Sequence, residues 1–443
     1  MNTPICDFVR DYTKSGTSRL HMPGHKGRAF LGCEPLDLTE IAGADELYAP
    51  DGIIADSEAN ASSLFGTAHT FYSTEGSSQC IRSMLFLAVQ NASGSGRPRI
   101  LAARNVHRSF LTAAALLDLD VSWLWPETER RSLCACPISP ACLDAALRGQ
   151  DESPAAVYVT SPDYLGNRLD LAALSAVCHA HGLPLLVDNA HGAYLHFLTP
   201  PEHPIDLGAD ACCDSAHKTL PVLTGGAYLQ ISAGSPKSFL PNARQALALF
   251  GSTSPSYLIL QSLDRANAYL ADGYPEALRA CAGRVESLRV SLCGRGWQFP
   301  AADPLRLTLA AGAEGGRALA GRLRRGNVEC EYADPDYVVL MFTPENPEED
   351  YARVWSALSG GPETPLSRPV PLFFPPRVAM GIRTALFAPH ETLPVREAFG
   401  RVCGAPTASC PPAVPVVCCG EVIGEAEMRL LLHYGIEQIE VVR

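Results

Sequence analysis

Two stretches of the chain set acid and base groups just beyond apolar runs. LPLLVDNAHGAYLHF carries Asp188 and His191, and ADACCDSAHKTLPVLTGG carries Ser215, His217 and Lys218. Open parallel sheets bind ligands at the carboxyl ends of their strands, so polar residues directly after a buried strand are the first candidates for chemistry. A third stretch, YSTEGSSQCIR, sets Gly76, Ser77 and Ser78 between a strand and a helix. Free backbone N–H groups and the helix dipole favour a phosphate there. Taken singly, each signal is weak.

Their combination matches the demands of pyridoxal phosphate chemistry. That cofactor needs an amine to hold it, a carboxylate against its pyridine nitrogen, a phosphate cradle and a flat group against its ring. Lys218 supplies the amine as a Schiff-base lysine, Asp188 the carboxylate, and Ser77, Ser215 and His217 the phosphate donors. His107, in ARNVHRSF just after the strand-like RILAA, supplies the flat group. Each has a plainer reading: a solvated lysine, a strand-ending aspartate that only caps a turn, ordinary half-buried histidines at 107 and 191. Lys218 sits between apolar ADACC and TLPVLTGG, an unusual setting for a solvated chain. His21 and His25 have the spacing of a helical metal pair, but Pro23 and Gly24 between them break that helix.

The elements that must position these groups read as an α/β fold. Short apolar runs alternating with helical patterns from about residue 65 imply β-α-β units and a mostly parallel sheet. The expected strands are His69 to Tyr72, Arg99 to Ala103, Val121 to Trp125, Ala155 to Thr160, Leu183 to Val187, Ala209 to Cys213 and Ala227 to Ile231. Helical patterns cover Gln79 to Val89, Leu169 to His181 and Ser256 to Cys293. Beyond about residue 300, strand-like LRLTL, VECEY and YVVLMF mix with helices and the Pro-rich PLSRPVPLFFPP and CPPAVPVV. The expected organisation is an N-terminal arm with short helices (1–64), a large cofactor-binding domain (65–295) and a smaller C-terminal α+β domain (296–443). NASGSGRPR reads as a surface turn.

HMPGHKG, EIAGADELYAPDGII, RNVHRS, TSPDYLGNRLD, VDNAHGA, SAHKTLP, TSPSY and PPAVPVVCCGE occur in this order. This series resembles the fold-type-I pyridoxal-phosphate-dependent ornithine, lysine and arginine decarboxylases, in the short form without an amino-terminal wing domain. The resemblance implies decarboxylation of a basic amino acid within polyamine biosynthesis. It makes Lys218 the Schiff-base lysine, Asp188 the pyridine-nitrogen partner and His107 the ring-stacking residue. It also implies phosphate contacts from Gly76, Ser77, Ser78, Ser215 and His217, and a cofactor contact from Ala190. GSTSPSY resembles a segment at a subunit boundary, which implies at least a homodimer with Ser252 or Thr253 of a neighbour completing the cradle. Glu421 matches a glutamate facing the substrate's far end; Asp45 and Glu46 are second choices, and a solvated Glu421 after a turn is the plainer one. The sequence departs from the pattern at Ser73-Thr74-Glu75, where an Asn-Gly-Thr-rich loop is usual, at Asn189 for glutamate, at Gly225 for glutamine and at Cys419 for proline. The alternatives are an aminotransferase or lyase of the same fold, or a catalytically inactive regulatory or structural relative.

Composition bounds these readings. The 443 residues are 47% hydrophobic and 19% charged, which suits a folded protein of two lobes. A net charge of −12 argues against sequence-independent nucleic-acid binding. MNTPICDFVRDYTK lacks the apolar core of a signal peptide, and no stretch approaches the roughly 18 apolar residues of a membrane span, so a cytoplasmic protein is expected. Sixteen irregularly spaced cysteines without a Cys-x-x-Cys pair read as reduced, mostly core thiols, with no metal site expected.

Overall fold

The computed structural model describes residues 1–92, 96–129, 132–362, 371–406 and 412–443. Parts of NASGSGRPR, PLSRPVPLFFPP and CPPAVPVV therefore lie outside the described residues.

Seven strands form the central sheet: β1 (His69–Ser73), β2 (Arg99–Ala103), β3 (Asp120–Leu124), β4 (Ala156–Thr160), β5 (Leu185–Asp188), β6 (Ala211–Asp214) and β7 (Ala227–Ile231). Their order is β1-β7-β6-β5-β4-β2-β3. Strands β5, β6 and β7 are buried along their whole length, which is why they appear in sequence as continuous apolar runs rather than alternating ones. Pairs β5/β6 and β2/β3 are parallel, whereas β7 runs antiparallel to both β6 and β1. The expected strands are all present, with ends shifted by up to two residues. The shift matters at Asp188 and Asp214, which are the last residues of β5 and β6 rather than the first beyond them.

The chain divides into two compact units. The first comprises Met1–Ser93, Ala155–Val157 and Leu171–Glu276; the second comprises Gly94–Pro154, Tyr158–Asp170 and Ala277–Arg443.

In the first unit the amino-terminal residues are tied down by helices α1 (Pro4–Lys14) and α2 (Ile53–Phe65). Ile5 and Val9 of α1 are fully buried, and the Cys6 N–H donates to Asp264 Oδ2 at 2.9 Å. Helix α3 (Ser77–Asn91) follows β1 through Gly76, whose φ of 69° is a backbone state that favours glycine. Asp45, one of the second choices for a substrate contact, caps α2: its Oδ2 accepts from the N–H groups of Gly52, at 2.9 Å, and Ile54, at 2.8 Å. Burial pushes its pKa up, but these backbone donors outweigh burial and leave it below the usual value. The helical pattern from Ser256 to Cys293 is two helices, Tyr257–Leu270 and Tyr274–Cys293, broken at Gly273 with its φ of 84°.

In the second unit, β8 (Arg306–Ala310), β9 (Tyr332–Ala333) and β10 (Tyr337–Met341) form a three-stranded antiparallel sheet, and β11 (His390–Pro394) pairs with β12 (Gln438–Val442). VECEY corrects one expectation, because only Tyr332 of it enters a strand. Residues 328–331 run outside any strand after the helix Gly316–Arg325, and Glu329 pairs back with Arg324 at 2.9 Å. Helix α4 (Arg108–Leu116) starts after β2 with His107 as its N-cap.

Candidate functional site

The first unit gathers most of the predicted groups at the carboxyl ends of β5 and β6. Asp188 ends β5 at 3% exposure. Its Oδ1 accepts from the Ala190 N–H at 3.2 Å and lies 3.6 Å from Cys213 Sγ on the neighbouring strand. Beyond β6 the chain makes one short helical turn, Ala216–Thr219, which carries His217 and Lys218. Nζ of half-buried Lys218 lies 2.9 Å from Nε2 of buried His191. His191 had a plain alternative reading as an ordinary half-buried histidine; it is buried, and its position three residues past Asp188, in the loop leaving β5, is the signal that places it here.

Ser215 Oγ donates to Ser77 Oγ at 2.8 Å, so the turn after β6 meets the first residue of α3. Ser78 follows on α3, half-buried. His217 Nδ1 lies 2.9 Å from the Gly226 carbonyl, which puts a proton on Nδ1. Its Nε2 then donates to a phosphate only as the imidazolium. Thr253 is exposed, and the N–H of neighbouring Ser252 donates to Glu75 Oε1 at 3.2 Å, so that carboxylate is engaged by the 252 loop.

A buried network behind β6 was not foreseen. Asp214, fully buried, accepts from Asn189 Nδ2 at 2.6 Å and Gln230 Nε2 at 2.8 Å, and it lies 3.1 Å from His203 Nε2. Cys212 joins His203 and Asp214 as a group of metal-ligand types, but both oxygens of Asp214 already accept hydrogen bonds. The fifteen described cysteines form no disulfide among themselves.

Two predicted residues belong to the second unit. His107, half-buried, accepts the Ser109 N–H on Nδ1 at 3.1 Å. Glu421 is 2% exposed, which corrects the reading of a solvated residue. Its Oε2 pairs with Arg104 Nη2 at 2.8 Å and accepts the Cys418 N–H at 2.6 Å.

The family description "Orn/Lys/Arg decarboxylase, major domain" matches residues 3–310, well over half of the chain. The chain belongs to the ornithine/lysine/arginine decarboxylase family. It is 30% identical to an arginine decarboxylase of Bacillus subtilis, over 97% of this chain and 93% of the relative. Among solved structures it is similar to the lysine decarboxylase of Francisella novicida, with a TM-score of 0.80, 16% identity and coverage of 100% of this chain and 81% of that one. It also shares its fold with a structure described as SPT with PLP, with a TM-score of 0.54, 15% identity and coverage of 69% and 75%. Fold-type-I architecture is thus established for this family member.

Two of its departures from the family pattern have local physical reasons. Gly225 has a φ of 99°, and a Cβ there would stand 3.0 Å from the Thr74 carbonyl, so a glutamine does not fit without moving the loop. Its own carbonyl accepts the Gly76 N–H at 2.8 Å, so it supports the turn into α3. A glutamate at 189 would set a second carboxylate against buried Asp214, whereas the Asn189 amide donates to it.

Proposed function

We propose that the protein decarboxylates a basic amino acid, arginine, lysine or ornithine, to the corresponding amine and carbon dioxide, with pyridoxal 5'-phosphate as cofactor. The observation that carries this reading is the set of Lys218, Asp188, Ser215 and Ser77 at the ends of two adjacent buried parallel strands and at the start of α3. The donor set fits the cofactor. Two hydroxyls meet at a helix N-terminus, and open space lies above Gly76, where an added Cβ would touch nothing within 4 Å.

When bound, the cofactor supplies an electron-withdrawing ring that accepts the electron pair left by departing carbon dioxide. Lys218 would hold it through Nζ, and His191 orients that nitrogen. Asp188 would keep the ring nitrogen protonated from a site where burial strengthens the interaction. Gly76, Ser77, Ser78, Ser215 and His217 are assigned to the phosphate, Ala190 to a cofactor contact, and His107 to the ring face on its place in RNVHRS. Thr253 of a second copy is assigned to complete the cradle, which makes the working unit at least a homodimer, in the cytoplasm. Of the three carboxylates named for the substrate's distal charge, Asp45 and Glu421 have internal partners, which favours the exposed Glu46.

Purified protein incubated with the cofactor should gain a visible absorption band that borohydride abolishes, and should release carbon dioxide from basic amino acids in a screen of all twenty. A band with no carbon dioxide release, or release confined to acidic or apolar amino acids, refutes the assignment.

A further inference from the structure

We propose that Arg104 and Glu421 form an internal clamp that fixes the start of α4, and with it the ring of His107, making both of them positioning residues. The proposal rests on the assignment of His107 to the cofactor ring; the geometry of the clamp itself does not.

Arg104 follows β2 directly and is fully buried. Its Nη2 pairs with Glu421 Oε2 at 2.8 Å and donates to the Val416 carbonyl at 3.2 Å, while Nη1 donates to the Pro415 carbonyl at 3.4 Å. The guanidinium carbon stands 5.1 Å and 5.7 Å from the ring centres of Trp123 and Trp125. A planar fork that binds a carboxylate and stacks on aromatic rings is a task a lysine does not perform. Glu421 in turn accepts the Cys418 N–H, so one carboxylate closes the 415–421 loop around one guanidinium.

The same loop reaches the far side of His107. Ala413 is buried at 1% exposure and holds a φ of 57°, a left-handed state that a residue with a Cβ rarely adopts. In that state its carbonyl accepts the Arg108 N–H at 2.8 Å. Arg108 is the first residue of α4, where backbone N–H groups have no partner inside the helix. His107 is the N-cap, and its Nδ1 accepts from Ser109 N at 3.1 Å and lies 2.9 Å from Ser109 Oγ. Arg104 on one side of His107 and Arg108 on the other are thus both anchored to residues 413–421. The ring orientation follows from the first turn of α4, and that turn follows from the clamp.

A carboxylate committed to a guanidinium and a backbone N–H is a poor counter-ion for a substrate cation, which would also stand beside Arg104. Glu421 Oε1 has no hydrogen-bond partner among the described residues, so a substrate contact through that oxygen is the rival that the experiment must separate. Amide hydrogen exchange read by mass spectrometry on cofactor-free protein makes the first measurement. In Glu421→Gln, peptides covering 104–111 and 412–422 should exchange at least about tenfold faster than in the unmodified protein, while peptides covering 69–92 and 185–191 stay unchanged. Because breaking one half of a buried pair can unfold a protein, the double variant Arg104→Met/Glu421→Leu, which removes both charges at similar volume, serves as the folded control and should show the same local acceleration. In the cofactor-loaded protein, Glu421→Gln should keep the visible band and lose about tenfold in kcat on every amino acid that the unmodified protein accepts, at unchanged KM. Unchanged exchange at 104–111 in both variants overturns the clamp, and so does a rise in KM confined to basic substrates. If the unmodified protein shows neither band nor carbon dioxide release, the decarboxylase reading fails, while the exchange result still decides the clamp.

Discussion

Nζ of Lys218 and Nε2 of His191 are hydrogen-bonded at 2.9 Å, although the residues leave different strands. A hydrogen bond involving a charged group is worth about 1.5–3 kcal/mol, and one to a lysine amine also sets where that amine points. His191→Phe removes the acceptor and keeps a flat ring. We expect the variant to fold and to take up cofactor about tenfold more slowly, read as the rate at which the visible band appears after mixing. An unaltered rate would remove His191 from the site.

Lys218→Ala should abolish the band altogether with the far-ultraviolet circular dichroism unchanged, because no other side chain is assigned the covalent link. A band that persists in this variant, and is still sensitive to borohydride, would show that another lysine carries the cofactor.

At Asp188 the prediction concerns turnover rather than binding. Asp188→Asn keeps the size of the side chain and the hydrogen bond from Ala190 but removes the negative charge that would hold the ring nitrogen protonated. Turnover by the cofactor-loaded variant should fall by about a hundredfold or more, the scale of roughly 3 kcal/mol in a barrier. Near-normal turnover would take Asp188 out of the mechanism.

Gly225→Gln restores the residue usual in the family and should damage this chain. The φ of 99° and the 3.0 Å approach of an added Cβ to the Thr74 carbonyl predict a loss of more than about 1 kcal/mol in stability. Because Gly225 supports the Gly76 turn, affinity for inorganic phosphate should fall with it. Urea unfolding and a phosphate titration check the two effects separately; a stable variant with undiminished affinity would show that the loop relaxes freely.

Much of the site was legible before the fold. Apolar runs that are buried on both faces announce β5 and β6, and the polar residues at their ends, Asp188 and Ser215, mark where the sheet opens. Gly76 before an apolar helical pattern announces α3, since a positive φ and a helix start are local matters. The order of VDNAHGA and SAHKTLP named the family for the same reason: each motif is a few residues of turn chemistry on a strand end. VECEY misled because its apolar and polar alternation has the strand period, while the pairing of Arg324 with Glu329 belongs to the helix end beside it.

Pairings across the chain were decided only by tertiary structure. Ser215 meets Ser77 across 138 positions and Glu421 meets Arg104 across 317, and no local period encodes either distance. The order β1-β7-β6-β5 brings the start of α3 to the turn that carries Lys218, and the choice of neighbour for a strand depends on what covers both faces of the sheet. Glu421 shows the limit most plainly. Its type and motif identify a carboxylate worth inspecting, but burying a charge demands a partner, and which partner it took depended on the fold that carried Arg104 and the two tryptophans to it.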